Sequence, residues 1–386
     1  MSRSEISQFA SAAAVTTGLL LLSACSNDPA ARASTGEPRP VVPTKNFTIK
    51  AGKAVANLPG EKFFRNVRQL TFGGENAEAY WSGDGTKLIM QSKHGKYPCD
   101  QIFTLDLATG EKKLVSTGKG RTTCSYFLQG DDRIIYASTH LGDAECPPPV
   151  VRTRGKYVWA IYKTYDIFTA KPDGSDLQRI TNTPGYDAEA TICPVTGRVL
   201  FTSVRDGDLE LYSMEPDGSD VKRLTNRPGY DGGGFYSHDG TKIVQRSGFF
   251  ADEDEEKEYF SLLARGLVEP NKMEITVLDR DGGNFRQVTK NGKANFAPFW
   301  HPDNKRILFS SSIGTPPRGR PIFDIYIINE DGTDQVQVSN NPSFDGFPMF
   351  SPDGRYLVFA SNRFNDKDHQ RDTNVFVAEW VEPAGK

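Results

Sequence analysis

The sequence predicts an all-β protein: a six-bladed β-propeller of four-stranded blades, closed by an N-terminal strand that completes the last blade. Three observations predict it. First, PDGSDLQRITNTPGYD (Pro172–Asp187) returns 44 residues later as PDGSDVKRLTNRPGYD (Pro216–Asp231), a period that signals stacked units unable to bury their apolar faces alone. Second, weaker copies of this phrase bring the total to six, at Asn66–Asn76, Lys112–Thr122, Asn284–Phe296 and Gln335–Asp345 besides the first two. Third, each copy is followed by two further strand phrases separated by turn residues.

Within a unit the elements follow in a fixed order. The second phrase is clearest in FPMFSPDGRYLVFAS (Phe347–Ser361), and its relatives include AYWSGDGTKLIMQS, GFYSHDGTKIVQRS and APFWHPDNKRILFSS. Each is two runs of β-branched and aromatic residues around an Asp-Gly-type turn. A third strand follows, as in QIFTLDL, ELYSMEPDG, DIYIINEDG and NVFVAEW, and its turn leads into the next copy of the first phrase. That makes four antiparallel strands per unit. The last unit stops after its third strand at Trp380, and the missing fourth strand stands at the other end of the chain, as Asn66–Phe72. Sharing one blade between the two ends removes an open sheet edge.

These phrases, above all YDAEATICPVTGRVLFTSVRDGDLELYSMEPDGSDVKRLT and FDGFPMFSPDGRYLVFASNR, resemble the TolB-type, WD40-like propeller repeat of bacterial periplasmic proteins, over roughly residues 63–381. The resemblance implies a propeller that binds partners or serves beside hydrolases. TolB proteins themselves carry an α/β domain ahead of the propeller, and here a short linker precedes the blades.

Composition narrows the function classes. A formal net charge of −3 with acids and bases mixed gives no basic stripe for nucleic acid. Arg3 precedes a largely apolar run from Ala12 to Leu22, which ends in Leu22-Ser23-Ala24-Cys25. A short apolar core with small residues before the cleavage point reads as a secretory signal, and its last four residues look like a bacterial lipobox. The expected organisation is a signal peptide over 1–24, lipidated Cys25 with a flexible linker over 25–60, and the propeller over 61–382. With Ser26 after the cysteine, the expected place is the periplasm, held to the outer membrane by acyl chains alone.

Topology selects a face. The loop between strands two and three of a blade shares its face with the loop to the next blade. The long segments Thr139–Tyr165, Gly248–Met273, Ile313–Phe323 and Arg363–Thr373 all fall there, whereas the turns of the opposite face are tight. Long loops in a compact domain carry function more often than not. The inner strands begin on the same face, at Asn76, Thr122, Asp187, Asp231, Asn295 and Asp345. Such a ring could hold a divalent cation or a basic peptide end; equally, Asp and Asn close turns through nearby backbone N–H groups. A second sixfold position, Gln101, Asp166, Glu210, Glu274, Asp324 and Asn374, recurs in every blade and is expected to make a structural hydrogen bond. The segment Ala251–Pro270 is expected to be an inserted helix with acids at its start and a stripe of Tyr259, Leu262, Leu263 and Leu267 packed on the propeller.

The cysteines follow the same geometry. Cys99, Cys124 and Cys146 all fall on the long-loop face, and an oxidising compartment would pair two of them. The preferred pair is Cys124–Cys146, with Cys99–Cys146 as the rival, and Cys193 is expected to be a lone buried thiol. His238 and His301 stand at turn positions and are expected to be exposed, whereas His94, His140 and His369 lie in loops of the long-loop face and form a candidate three-histidine metal site.

No G-x-S-x-G elbow and no Gly-rich phosphate loop occurs. The expected function is therefore a non-catalytic, lipid-anchored binding propeller, monomeric and without a cofactor, taking an envelope protein or peptide. Two alternatives stand beside it: an accessory module for a separate peptidase, and a metal-dependent glycan-binding or glycan-cleaving propeller. In the glycan reading, Tyr157 and Trp159 beside Arg152 and Arg154 would stack on and charge-pair with an acidic sugar.

Overall fold

The computed structural model describes residues 47–149, 157–316, 321–365 and 372–383. They form six antiparallel blades. Blade one is built from Glu75–Trp81, Lys87–Lys93, Gln101–Asp106 and Lys112–Leu114, and blades two to five repeat that order from Thr122, Asp187, Asp231 and Asn295. Blade six has Asp345–Phe350, Tyr356–Ser361 and Asn374–Trp380 from the C-terminal end and Phe64–Gln69 from the N-terminal end. The expected closure is present, two residues earlier at its start than the sequence pattern put it. A short strand at Lys53–Ala54 then caps the outer edge of this blade.

The second sixfold position does what recurrence suggested. In every blade a hydroxyl from strand four accepts the backbone N–H one residue beyond it: Ser116 from Ile102, Thr181 from Ile167, Thr225 from Leu211, Thr289 from Ile275, Ser339 from Ile325 and Thr71 from Val375, at 2.8–2.9 Å. Several of these hydroxyls also meet the carboxylate or amide itself, as Thr289 does Glu274 at 2.5 Å and Ser116 does Gln101 at 2.8 Å. Strand four is only two residues long in most blades. A side-chain latch is therefore needed to hold that outer strand, and in blade six it ties the N-terminal strand to the C-terminal one.

The inserted helix α1 runs over Glu253–Ala264, with the Asp252 carboxylate accepting from Asp254 and Glu255 N–H groups at its start. Leu262 is buried, Tyr259 and Leu263 pack beside it, and the Tyr259 hydroxyl donates to Asp208 of blade three. Leu267 lies beyond the helix. With Val268 it pairs with Trp159–Ala160 as a two-stranded ribbon. The ribbon joins the long loops of blades two and four.

Candidate functional site: a blind chamber at the propeller axis

The six inner strands share one irregularity. Each carries a β-bulge after its second or third residue, and the bulged residue has positive φ: Glu78, Cys124, Glu189, Gly233, Ala297 and Phe347, between 45° and 59°. A bulge re-aims the side chain that it carries. In blades three to six this is the one inner-strand residue not fully buried. The bulged position of each inner strand, fourth in blade one and third in the other five, is thus the ring that lines the axis.

Below this ring the axis is closed. Tyr80 of blade one meets Tyr126 of blade two at 5.4 Å between ring centroids and reaches Phe235 of blade four, opposite, at 5.8 Å. Phe235 in turn meets Phe299 at 5.3 Å. The four rings make a floor across the axis, beneath the bulged residues. On the long-loop side, Trp159 of the ribbon lies 5.3 Å over the Arg246 guanidinium and edge-on to Phe296 at 6.4 Å.

The walls are charged. Arg246 pairs with Glu189 of the neighbouring blade and donates to the Tyr230 hydroxyl at 2.6 Å. Tyr230 and Thr202 both donate to Glu189, at 2.6 and 2.7 Å. Burial alone would lower the Arg246 guanidinium, but Glu189 beside it holds it above its ordinary value. Two glycines make this cluster fit. A Cβ on Gly232 would stand 2.4 Å from Thr202 Oγ1, and one on Gly233 would stand 3.0 Å from the Arg246 guanidinium. Glu78 differs from Glu189: no described cation forms an ion pair with it, and Tyr80 donates to it only at 3.4 Å. Burial pushes its carboxyl up from 4.5 to about 7, opposed in part by its bond with the Cys124 thiol. Burial also pushes the Cys124 thiol well above its ordinary value.

The residues expected to ring the mouth are placed differently. Asn76, Thr122, Asp187, Asp231, Asn295 and Asp345 are all buried, each paired across to a serine of strand two. Ser92 donates to Asn76 at 2.8 Å, Ser247 to Asp231 at 2.5 Å and Ser311 to Asn295 at 2.7 Å. Arg205 reaches Asp187, Arg227 reaches Asp231, and Arg363 joins Asp345 to Glu61. Thr122 donates to Asp100 O of the preceding blade at 3.0 Å. The structure engages each of the six inside the blades. The bulge is the physical reason: it turns the bulged residue, not the one two before it, toward the axis.

The same bulge corrects the disulfide. Cys146 pairs with Cys99, at a Cα–Cα distance of 6.0 Å, and the preferred Cys124 is free. Position three of the inner strand aims Cys124 into the chamber and away from the rim loop. Cys193 is a buried free thiol, as expected. The histidine expectations are corrected in part. His301 is buried against Phe350 and Trp380, and His238 is half-buried with Nε2 3.1 Å from Trp300 O. His140 lies tilted against Phe168 with ring centroids 4.5 Å apart, and its Nδ1 is 2.8 Å from Ser138 Oγ. His94 lies beside Gly74, and His369 is outside the described residues. Among the described residues no three metal-ligating side chains converge. Of the proposed sugar platform, Arg152 and Arg154 lie outside the described residues, as does Cys25; Tyr157 is exposed, and Trp159 is turned onto Arg246.

No protein-family model matches the chain, and no curated protein matches its sequence. Solved structures do. A putative TolB from Agrobacterium tumefaciens is 18% identical with a TM-score of 0.51, over 80% of this chain and 91% of that one. The chain has the TolB-type propeller fold. XC5397 of Xanthomonas campestris, described as a gluconolactonase, is 12% identical with a TM-score of 0.51, over 85% of this chain and 94% of that one. TolB from Acinetobacter baumannii is 17% identical with a TM-score of 0.48, over 69% of this chain, which spans 55% of that protein's length. One fold thus serves proteins of different function, and the chemistry of this one is argued from its own residues.

Proposed function

We propose that this chain is a non-catalytic, lipid-anchored propeller of the periplasm that binds a protein or peptide partner on its long-loop face. The observation that carries this reading is the distribution of exposed large hydrophobic side chains. Among the described residues there are eight, and five of them, Phe72, Leu141, Tyr157, Phe260 and Phe364, stand on the long-loop face. Of the other three, Leu177 and Val221 immediately precede short outer strands and Val336 lies in one. Several exposed large apolar groups on one face favour a contact surface there. A mainly apolar groove of about 320 Å³ between α1, the ribbon and blade three gives such a contact a place to seat, with Ile161, Val204, Phe260 and Leu263 on its walls and Lys163 at its side.

Two further features support the reading. The described chain begins at Phe47, whose ring packs on the opposite face against Gly85, Trp81 and Tyr356. The described chain thus enters the propeller on the face away from the long loops. The Cys99–Cys146 bond suits an oxidising compartment. No described helix is long and apolar enough to cross a membrane, so attachment would rest on the acyl chains of Cys25.

The test is a pull-down from solubilised envelopes, read by mass spectrometry. A combined Phe72→Ser, Leu141→Ser, Phe260→Ser and Phe364→Ser variant should lose a partner that the wild type captures. A Leu177→Ser, Val221→Ser and Val336→Ser variant should keep it. Equal capture by all three proteins would reject the long-loop face as the site.

A further inference from the structure

The outer edge of blade six differs in charge from the other five. In blades one to five the outer strand follows a turn that carries aspartate, at Asp106, Asp173, Asp217, Asp281 and Asp331. Cations along those edges meet acids: Arg133 pairs with Asp176, Arg198 with Glu215 and Asp220, and Arg286 with Glu330. Blade six takes its outer strand from the N-terminal side of the chain and so has no such turn. From Phe47 to Phe72 the chain carries Lys50, Lys53, Lys62, Arg65 and Arg68 against a single acid, Glu61. Glu61 is buried and held by Arg363. Arg68 turns its guanidinium onto the carbonyls of Lys50, Ala51 and Gly52. The other four cations are exposed, and no described acid pairs with them. Lys53 lies over the Phe72 ring at 5.2 Å. Glu379, opposite Arg65 in the ladder, accepts from the Asn66 side chain at 2.8 Å instead. Lys53 stands in the outermost strand and Arg65 in the strand beside it, so the four form a positive strip along one rim of a chain whose formal net charge is −3.

The position of the strip selects its partner. Phe47, the first described residue of the chain, stands three residues before Lys50, so the strip begins where the covalent link to Cys25 reaches the propeller. Acyl chains hold a protein near a bilayer without fixing which side faces it. Lysine and arginine beside such an anchor are attracted to an anionic leaflet within a Debye length and so give the molecule an orientation. We propose that the outer edge of blade six, through Lys50, Lys53, Lys62 and Arg65, docks on the anionic phospholipid headgroups of the bilayer. The setting of this contact rests on the lipid-anchored reading above, whereas its electrostatics can be measured without the acyl chains.

The experiment is flotation of the full chain with vesicles of phosphatidylcholine alone and of phosphatidylcholine with about one third phosphatidylglycerol. Three proteins are compared: the wild type, a Lys50→Gln/Lys53→Gln/Lys62→Gln/Arg65→Gln variant, and a Lys119→Gln/Lys171→Gln/Lys290→Gln/Lys293→Gln variant that removes the same charge from exposed sites on other blades. The N-terminal segment is common to all three, so the gain in binding on adding phosphatidylglycerol isolates the strip. That gain should be at least about tenfold for the wild type and the control variant, and less than about twofold for the strip variant. Raising the salt to about 0.5 M should abolish it in the wild type. No gain by the wild type, or an equal gain by the strip variant, overturns the proposal. Loss of a captured protein partner by the strip variant, at unchanged vesicle binding, would assign the edge to an acidic protein and overturn it as well. Acylation is read separately, as incorporation of labelled palmitate that Cys25→Ala abolishes. Its absence would remove the anchor and leave the vesicle result standing.

Discussion

Replacing Glu78 by Gln should stabilise the protein, and only above mildly acidic pH. The Glu78 carboxyl ionises at its ordinary 4.5 when unfolded and at about 7 in the chamber, because burial disfavours its charged form. At intermediate pH folding therefore takes up a proton, and ionisation opposes folding. The penalty is absent below about 4.5, grows through the interval and is complete above about 7. At about 1.4 kcal/mol per pH unit it amounts to roughly 3 kcal/mol, and the partial access of solvent to Glu78 trims this to about 2–3 kcal/mol. Gln keeps the shape and removes the charge. Urea unfolding of both proteins from pH 4 to pH 8.5 measures the difference. Asp231 and Asp324, raised by burial to about 7 and about 6, are common to both proteins and cancel. The stability difference should be flat below 4.5, climb between 4.5 and 7 and level off. A difference independent of pH would refute the claim that burial disfavours the ionised Glu78.

Three other substitutions test the rest of the architecture. Arg246→Met leaves Glu189 buried without its cation and should cost about 3–5 kcal/mol at pH 8, less on acidification, with much of the loss recovered in Arg246→Met/Glu189→Gln; chemical denaturation of the two variants measures it. Thr225→Val orphans the buried Leu211 N–H and should cost about 1–3 kcal/mol, read as a lowered urea midpoint at unchanged slope. Opening the Cys99–Cys146 bond releases a 47-residue loop and should cost about 4 kcal/mol by loop entropy. Dithiothreitol should lower the melting temperature of the wild type accordingly and leave a Cys99→Ser/Cys146→Ser variant unaffected.

Much of the fold was legible because turn chemistry and alternation repeat six times. The latch left a partial trace in the sequence, because Gln101, Glu274 and their equivalents stand at one fixed place in every blade, next to the N–H that the hydroxyl takes. The N-terminal strand was legible because its Asn66–Phe72 phrase matches the fourth-strand phrase of the other blades. The chamber was not legible. Its ring residues Glu78, Cys124, Glu189, Gly233, Ala297 and Phe347 share no chemistry, and only a bulge that alternation does not encode aims them at the axis. That same two-residue offset placed Asp187 and Asp231 at the mouth and Cys124 at the rim. The available signal was the run Gly232-Gly233-Gly234, where a strand gives up side chains to make room for Thr202, Arg246 and Leu200 in turn. The ribbon was missed because Trp159–Ala160 and Leu267–Val268 are two-residue strands, too short for any periodicity.

The most direct test of the long-loop face as the binding surface is site-specific photo-crosslinking in living cells. A photoreactive residue is placed in turn at Leu141 and Phe260 on that face, and at Thr86 and Asp353 in the tight turns opposite. A discrete adduct of one size from the first pair and none from the second is the predicted result. Equal labelling from both faces, or none from Leu141 and Phe260, would contradict it.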